Sequence, residues 1–106
     1  TKAEYLSMWL KENNPHHPDI IVWGAGRITR KRAAVLEEYG LRITGYIDLK
    51  PRTLGNGIPV IHHDDIPNPD SCFILPMVGN RGARANIRAF LKKRGFIEGA
   101  NCIFAA

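Results

Sequence analysis

The sequence predicts an α/β fold: a small, mostly parallel sheet flanked by helices, with an extra helix at the amino terminus. Apolar runs of strand length alternate with amphipathic stretches of helical length. Two of those runs end in glycine turns, Gly24-Ala25-Gly26 and Gly79-Asn80-Arg81-Gly82. Each turn leads straight into a helical pattern, and strands joined through helices become parallel neighbours by right-handed crossovers.

Taken in order, residues 1–12 predict an amphipathic helix. Thr1 and Glu4 have capping-box spacing, and Tyr5, Leu6, Met8, Trp9 and Leu10 gather toward one side, expected to lie against the sheet or a neighbouring domain. Asn13-Asn14-Pro15 stops it, and residues 15–18 read as a short extended connector. Residues 19–23 are an unbroken apolar run of buried-strand length. A helix follows over 28–39, with Ala25, Ile28, Val35, Leu36 and Tyr39 on its inner face and Gly40 as its left-handed terminator.

Residues 41–47 are a β-branched and aromatic strand closed by Asp48. A turn-rich excursion over 49–57 precedes a short strand over 58–61, placed near an edge by Pro59. Residues 64–69 read as a loop or single helical turn, and 71–78 as an apolar strand interrupted by Pro76. Ala83, Ile87, Phe90 and Leu91 mark the next amphipathic helix, closed by Gly95, and a last strand is expected around Cys102-Ile103-Phe104.

With 106 residues the chain is the size of one domain, and a second catalytic domain is excluded. Hydrophobic residues make up 44% and charged residues 24%, a balance that speaks against intrinsic disorder. No apolar run reaches the roughly 18 residues of a membrane span, and no leader resembles a signal peptide, so the chain reads as soluble and cytoplasmic. Its start at Thr1 suggests a domain excised from something longer, with residues 1–18 a helix and linker from an upstream domain and 19–106 the folded unit. The net charge of +5 suits an anionic partner. Cys72 and Cys102 lie in apolar, strand-like surroundings and read as buried free thiols in a reducing compartment.

The turn at Gly24-Ala25-Gly26 carries the chemistry. In a Rossmann-like dinucleotide fold the first glycine permits the tight turn, the second lets the backbone approach a phosphate, and an acid about 20 positions on accepts from a ribose hydroxyl, a place held here by Asp48. Thr29 stands where such turns carry a third glycine. Arg27, Arg30, Lys31 and Arg32 crowd a helix start that favours negative charge, and Arg81 and Arg84 repeat the pattern at the second turn. Gly24, Gly26, Arg27, Asp48, Gly79 and Arg81 are therefore the candidate ligand-binding residues, with Arg27 and Arg81 facing the cleft and Lys31, Arg32 and Arg88 left as solvated charges. His62-His63-Asp64-Asp65 is not expected to bind metal, because adjacent residues on an extended segment point in opposite directions. His16-His17 reads the same way. Nucleic-acid binding is not expected either, since Trp9, Trp23, Phe73 and Phe90 are needed by the core rather than interleaved with basic residues.

The runs Ile21-Val22-Trp23-Gly24-Ala25-Gly26-Arg27, Gly45-Tyr46-Ile47-Asp48, Gly57-Ile58-Pro59-Val60-Ile61, Val78-Gly79-Asn80-Arg81-Gly82-Ala83-Arg84 and Gly95-Phe96-Ile97-Glu98-Gly99, with the closing Ala105-Ala106, carry a resemblance. Together they resemble the C-terminal Rossmann-like domain that follows the catalytic domain in some bacterial family 2 glycosyltransferases. The first half is also similar to nucleotide-sugar-binding domains of sugar O-acyltransferases and polysaccharide-biosynthesis dehydratases. The resemblance implies a surface-polysaccharide glycosylation enzyme whose sugar transfer is performed by an upstream catalytic domain. The catalytic aspartates of such transferases have no counterpart in this sequence, so no catalytic residue is carried over. From the nucleotide-binding relatives it carries over only a phosphate turn at Gly24 and Gly26 and a ribose-type acid at Asp48; a nucleotide sugar or NAD is the class of ligand such a turn would take, and the family itself assigns none. An NAD(P)-binding oxidoreductase module and a pure interaction domain with an empty cleft stay open beside it.

Overall fold

The computed structural model describes residues 1–50 and 54–105. Part of the turn-rich stretch expected over 49–57, and the closing Ala106, lie outside the described residues. The chain forms α1 (Lys2–Asn13), β1 (Asp19–Trp23), α2 (Arg27–Glu38), β2 (Arg42–Asp48), β3 (Val60–His62), β4 (Ile74–Pro76) and α3 (Arg81–Lys93), with single 3-10 turns at His63–Asp65 and Pro69–Ser71. The four strands make one sheet in the order β3-β2-β1-β4, with all pairings parallel. The α/β architecture expected from the sequence is the one observed.

Alternation along β1 explains its unbroken apolar run. Ile20 and Val22 point into one core with Leu10 of α1, Ala33 and Leu36 of α2, Phe73 and Leu75. Ile21 and Trp23 point the other way, into a core with Ile47, Ile74, Cys102 and the inner face of α3, Ile87 and Leu91. A strand covered on both faces has no solvent side on which polar residues would be selected. On β2, Ile43 and Tyr46 share one core although they stand three positions apart, an odd spacing that strict alternation forbids. A register shift between Ile20 and Ile21 resolves it, since Ile20 pairs with Ile43 but Ile21 with Gly45, leaving Thr44 as the extra residue of a bulge.

Several elements depart from expectation. The inner face of α2 is Ala33 and Leu36, while Ile28, Val35 and Tyr39 are exposed. Ile28 precedes Ala33 by five residues, about 140° around a helix of 3.6 residues per turn, and so cannot share its stripe. On α1 it is Leu10 that is fully buried, with Trp9 set edge-on to Phe73; Tyr5 and Met8 face solvent at 73% and 58% exposure. Residues 15–18 form a turn rather than an extended connector, with the His17 and Asp19 amides donating to the carbonyls of Asn14 and His16.

β3 begins two residues late and excludes Pro59, whose carbonyl still accepts from the Tyr46 amide at 3.0 Å. It does lie at the sheet edge. β4 shrinks to three residues, and the 3-10 turn that Asn68 caps takes the first residue of the expected run, Ser71. The last expected strand is reduced to isolated bridges at Cys102, but its chain runs along β4: Ile103 donates to Ile74 at 3.2 Å and Ala105 to Pro76 at 3.0 Å. Gly40 and Gly95 take the left-handed terminator positions, with φ of +94° and +88°. Among the described residues no helix is long and apolar enough to cross a membrane.

Candidate functional site

β1 lies inside the sheet between β2 and β4; β1 continues into α2 on one face and β4 into α3 on the other, so a crevice opens between the carboxyl ends of β1 and β4. The end of β1 is pinned from both neighbours. The Gly24 amide donates to the Ile47 carbonyl at 2.8 Å, and the Met77 amide donates to the Trp23 carbonyl at 3.1 Å.

Gly24 turns the chain with φ +124°, and a Cβ there would come within 2.9 Å of Thr29 Cγ2. Thr29 thus occupies the space that a third glycine leaves empty in related turns, and the missing Cβ of Gly24 makes room for it. Gly26 is the N-cap of α2 and offers no side-chain cap, nor does the first turn carry an acid. The first amides of a helix have no intrahelical acceptor. A Cβ on Gly26 would meet no atom within 4 Å, so the space beside this residue is open. Arg27 is exposed beside it, and Arg30 is held back on the turn through Nε, which donates to the Ala25 carbonyl at 3.1 Å.

Asp48 ends β2 one ladder position beyond the Ile47 pair of Trp23, and its Oδ1 accepts from the amides of Leu49 at 2.7 Å and Lys50 at 3.3 Å. The carboxylate therefore shapes the loop that follows as well as standing beside the turn. Sequence reasoning missed a cleft on the α3 side of the sheet, which none of Gly24, Gly26, Arg27 or Asp48 lines. It holds about 380 Å³ and draws on the carboxyl ends of the four described strands: Trp23 at the end of β1, Leu49 after β2, His63 after β3 and Val78 after β4, roofed by Asn86 and Phe90 of α3. The signal available was positional, since Trp23, Leu49, His63 and Val78 each fall at or just past the end of a strand. Trp23 and Phe90 meet edge to face at 5.7 Å, which fixes the wall between them.

Gly79 and Arg81 lie elsewhere. They line a separate hollow of about 380 Å³ with Arg84, Ala85 and Arg88, on the outer side of α3. The Asn80 side chain caps α3 by accepting from the Ala83 amide at 3.0 Å. Arg88 is exposed, as expected, and is also paired: its Nε donates to Glu98, and its guanidinium stacks over Phe104 at 4.3 Å. Lys31 and Arg32 are exposed.

Both cysteines are buried and free. Burial pushes each thiol from 9.0 to about 11, aided at Cys102 by the nearby Glu98 carboxylate, so neither is a ready nucleophile or thiolate ligand. The chain matches no protein-family model, no curated protein and no solved structure in the comparisons made with each.

Proposed function

We propose that this chain is a non-catalytic, cytoplasmic domain that binds a nucleotide or nucleotide sugar beside the catalytic domain of a bacterial surface-polysaccharide glycosyltransferase. The observation that carries the binding half is the uncapped start of α2, open beside Gly26 and set next to Asp48 at the crevice of a parallel sheet. A phosphate would accept from the free amides of the first turn with Arg27 beside it, and Asp48 would stand near the sugar hydroxyls. The mainly apolar cleft of Trp23, Leu49, Val78 and Phe90 suits a flat heterocycle better than a sugar, whose hydroxyls each need a partner. The glycosyltransferase half rests on the motif resemblance alone.

Trp23 gives the test its readout. In a Trp9→Phe background, Trp23 is the remaining tryptophan, and its emission should change saturably with a nucleotide sugar or NAD. The same protein should neither transfer sugar from a panel of nucleotide sugars nor oxidise NAD(P)H with simple carbonyl substrates. Robust turnover in either assay would sink the non-catalytic reading. An interaction role is favoured by one specific feature, the solvent-facing pair Tyr5 and Met8 one helical turn apart on α1. If that role is the whole function, the emission of Trp23 stays flat with every nucleotide.

A further inference from the structure

The segment that closes β3 carries two imidazoles and a carboxylate in succession, and the backbone does not leave them splayed as an extended segment would. The strand ends at His62, and a 3-10 turn begins at His63. That change of conformation swings the His63 ring back to within 4.2 Å of the His62 ring, centroid to centroid. Asp64 completes the group. One carboxylate oxygen lies 3.5 Å from His62 Nδ1 and the other 3.5 Å from His63 Nε2, and the three potential ligand atoms lie within 4.8 Å of one another.

We propose that His62, His63 and Asp64 form a binding site for a divalent transition-metal ion such as zinc, nickel or cobalt. Imidazole nitrogen with carboxylate oxygen is the donor set of those ions rather than of magnesium or calcium, which take oxygen. Ligand bonds of about 2.0–2.2 Å put neighbouring donors roughly 3–3.6 Å apart, so small rotations of the exposed His62 and Asp64 side chains close the site. His63 is positioned by packing rather than by hydrogen bonding. Its ring meets Phe90 edge to face at 5.3 Å, and its Nδ1 is buried with no hydrogen-bond partner among the described residues. The fold thus holds this ring without drawing on Nε2, the atom that faces the carboxylate.

One group competes. Arg94 NH2 lies 3.6 Å from Asp64 Oδ1, NH1 donates to the Asp64 carbonyl at 3.3 Å, and the guanidinium is held over Phe90 at 4.8 Å. A fixed positive charge on the same carboxylate opposes a dication, so its removal should strengthen binding. Three protein ligands leave further coordination positions open. The site stands beside the nucleotide crevice, since His62 is the ladder partner of Asp48 and His63 lines the cleft.

The test uses metal ions alone and is independent of any nucleotide. A His16→Gln/His17→Gln variant of the whole chain removes the other histidine pair, and calorimetric titration with Zn²⁺ should then give one ion per chain. Co²⁺ should give a visible absorption band typical of nitrogen and oxygen ligation. In that background His62→Ala or Asp64→Asn should weaken binding at least about tenfold with the circular dichroism unchanged, whereas Arg94→Gln should tighten it severalfold. Absence of saturable binding in the His16/His17 variant overturns the proposal. So does binding that His62→Ala and Asp64→Asn leave as tight as before, or that Arg94→Gln weakens.

Discussion

Gly24 and Gly26 stand two residues apart in one turn and answer to different constraints. Gly24 has positive φ and a threonine methyl where its Cβ would go, so Gly24→Ala should destabilise the fold by about 1–3 kcal/mol in denaturant unfolding. Gly26 has φ −66° and open space, so Gly26→Val should stay within about 1 kcal/mol of wild type while filling the phosphate position. The fingerprint was legible in the sequence, but the reason Thr29 is tolerated was not. It depends on a contact between two residues five apart that only the turn's geometry brings together. The thiols make a second prediction at this scale. Below pH 9 they are neutral in both states and contribute no pH dependence. Between pH 9 and about 11 the unfolded chain ionises them while burial keeps the folded ones neutral, so stability falls as pH rises through that window. Cys72→Ala with Cys102→Ala should flatten that slope in urea titrations across the same range.

Among the elements, α1 shows how much stability one buried side chain can concentrate. Leu10 is fully buried in the same core as the sheet, so Leu10→Ala should cost about 2–5 kcal/mol, and deletion of residues 1–13 should lower the melting temperature. An unchanged melt would reduce the helix to a linker. Tyr5→Ser and Met8→Ser, both solvent-facing, should leave the melt close to wild type. At the amino-terminal end of the strands the bidentate pair of Arg42 with Asp19, at 2.6 and 2.9 Å, ties the starts of β1 and β2. The hydrogen bond from Arg42 lowers the Asp19 carboxyl below its ordinary 3.8, so its small contribution is present above that value and fades as pH falls below it. Strand and helix identities were legible because both-face burial and helical spacing write directly into the sequence. The inward stripe of α2 was not, because Ile28, Val35 and Tyr39 are as apolar as the buried pair and only the position of the sheet decides. The bulge at Thr44 was equally hidden, since nothing in an isolated strand marks where its partner skips a residue.

At the scale of the whole molecule, four parallel strands and three helices set an uncapped helix start, Asp48 and an apolar cleft around the carboxyl end of β1. The glycine turn and the acid were readable as a motif. The cleft was not, because its lining comes from four strand ends and α3, residues spread from 23 to 90 that look like ordinary core in sequence. The opposite facing expected of His62 and His63 fails for a related reason: alternation holds only while the strand continues, and it stops between them, where their rings meet. A 2′-phosphate would face the Asp48 carboxylate, so NAD should bind more tightly than NADP. The decisive measurement is calorimetric titration of wild type and Gly26→Val with nucleotide sugars, NAD and NADP, run beside their denaturant unfolding curves. Saturable binding of at least one nucleotide by wild type, abolished in a Gly26→Val protein of near-wild-type stability, is the expected result; no binding of any of them by wild type, or equal binding by both proteins, would contradict a phosphate site at the start of α2.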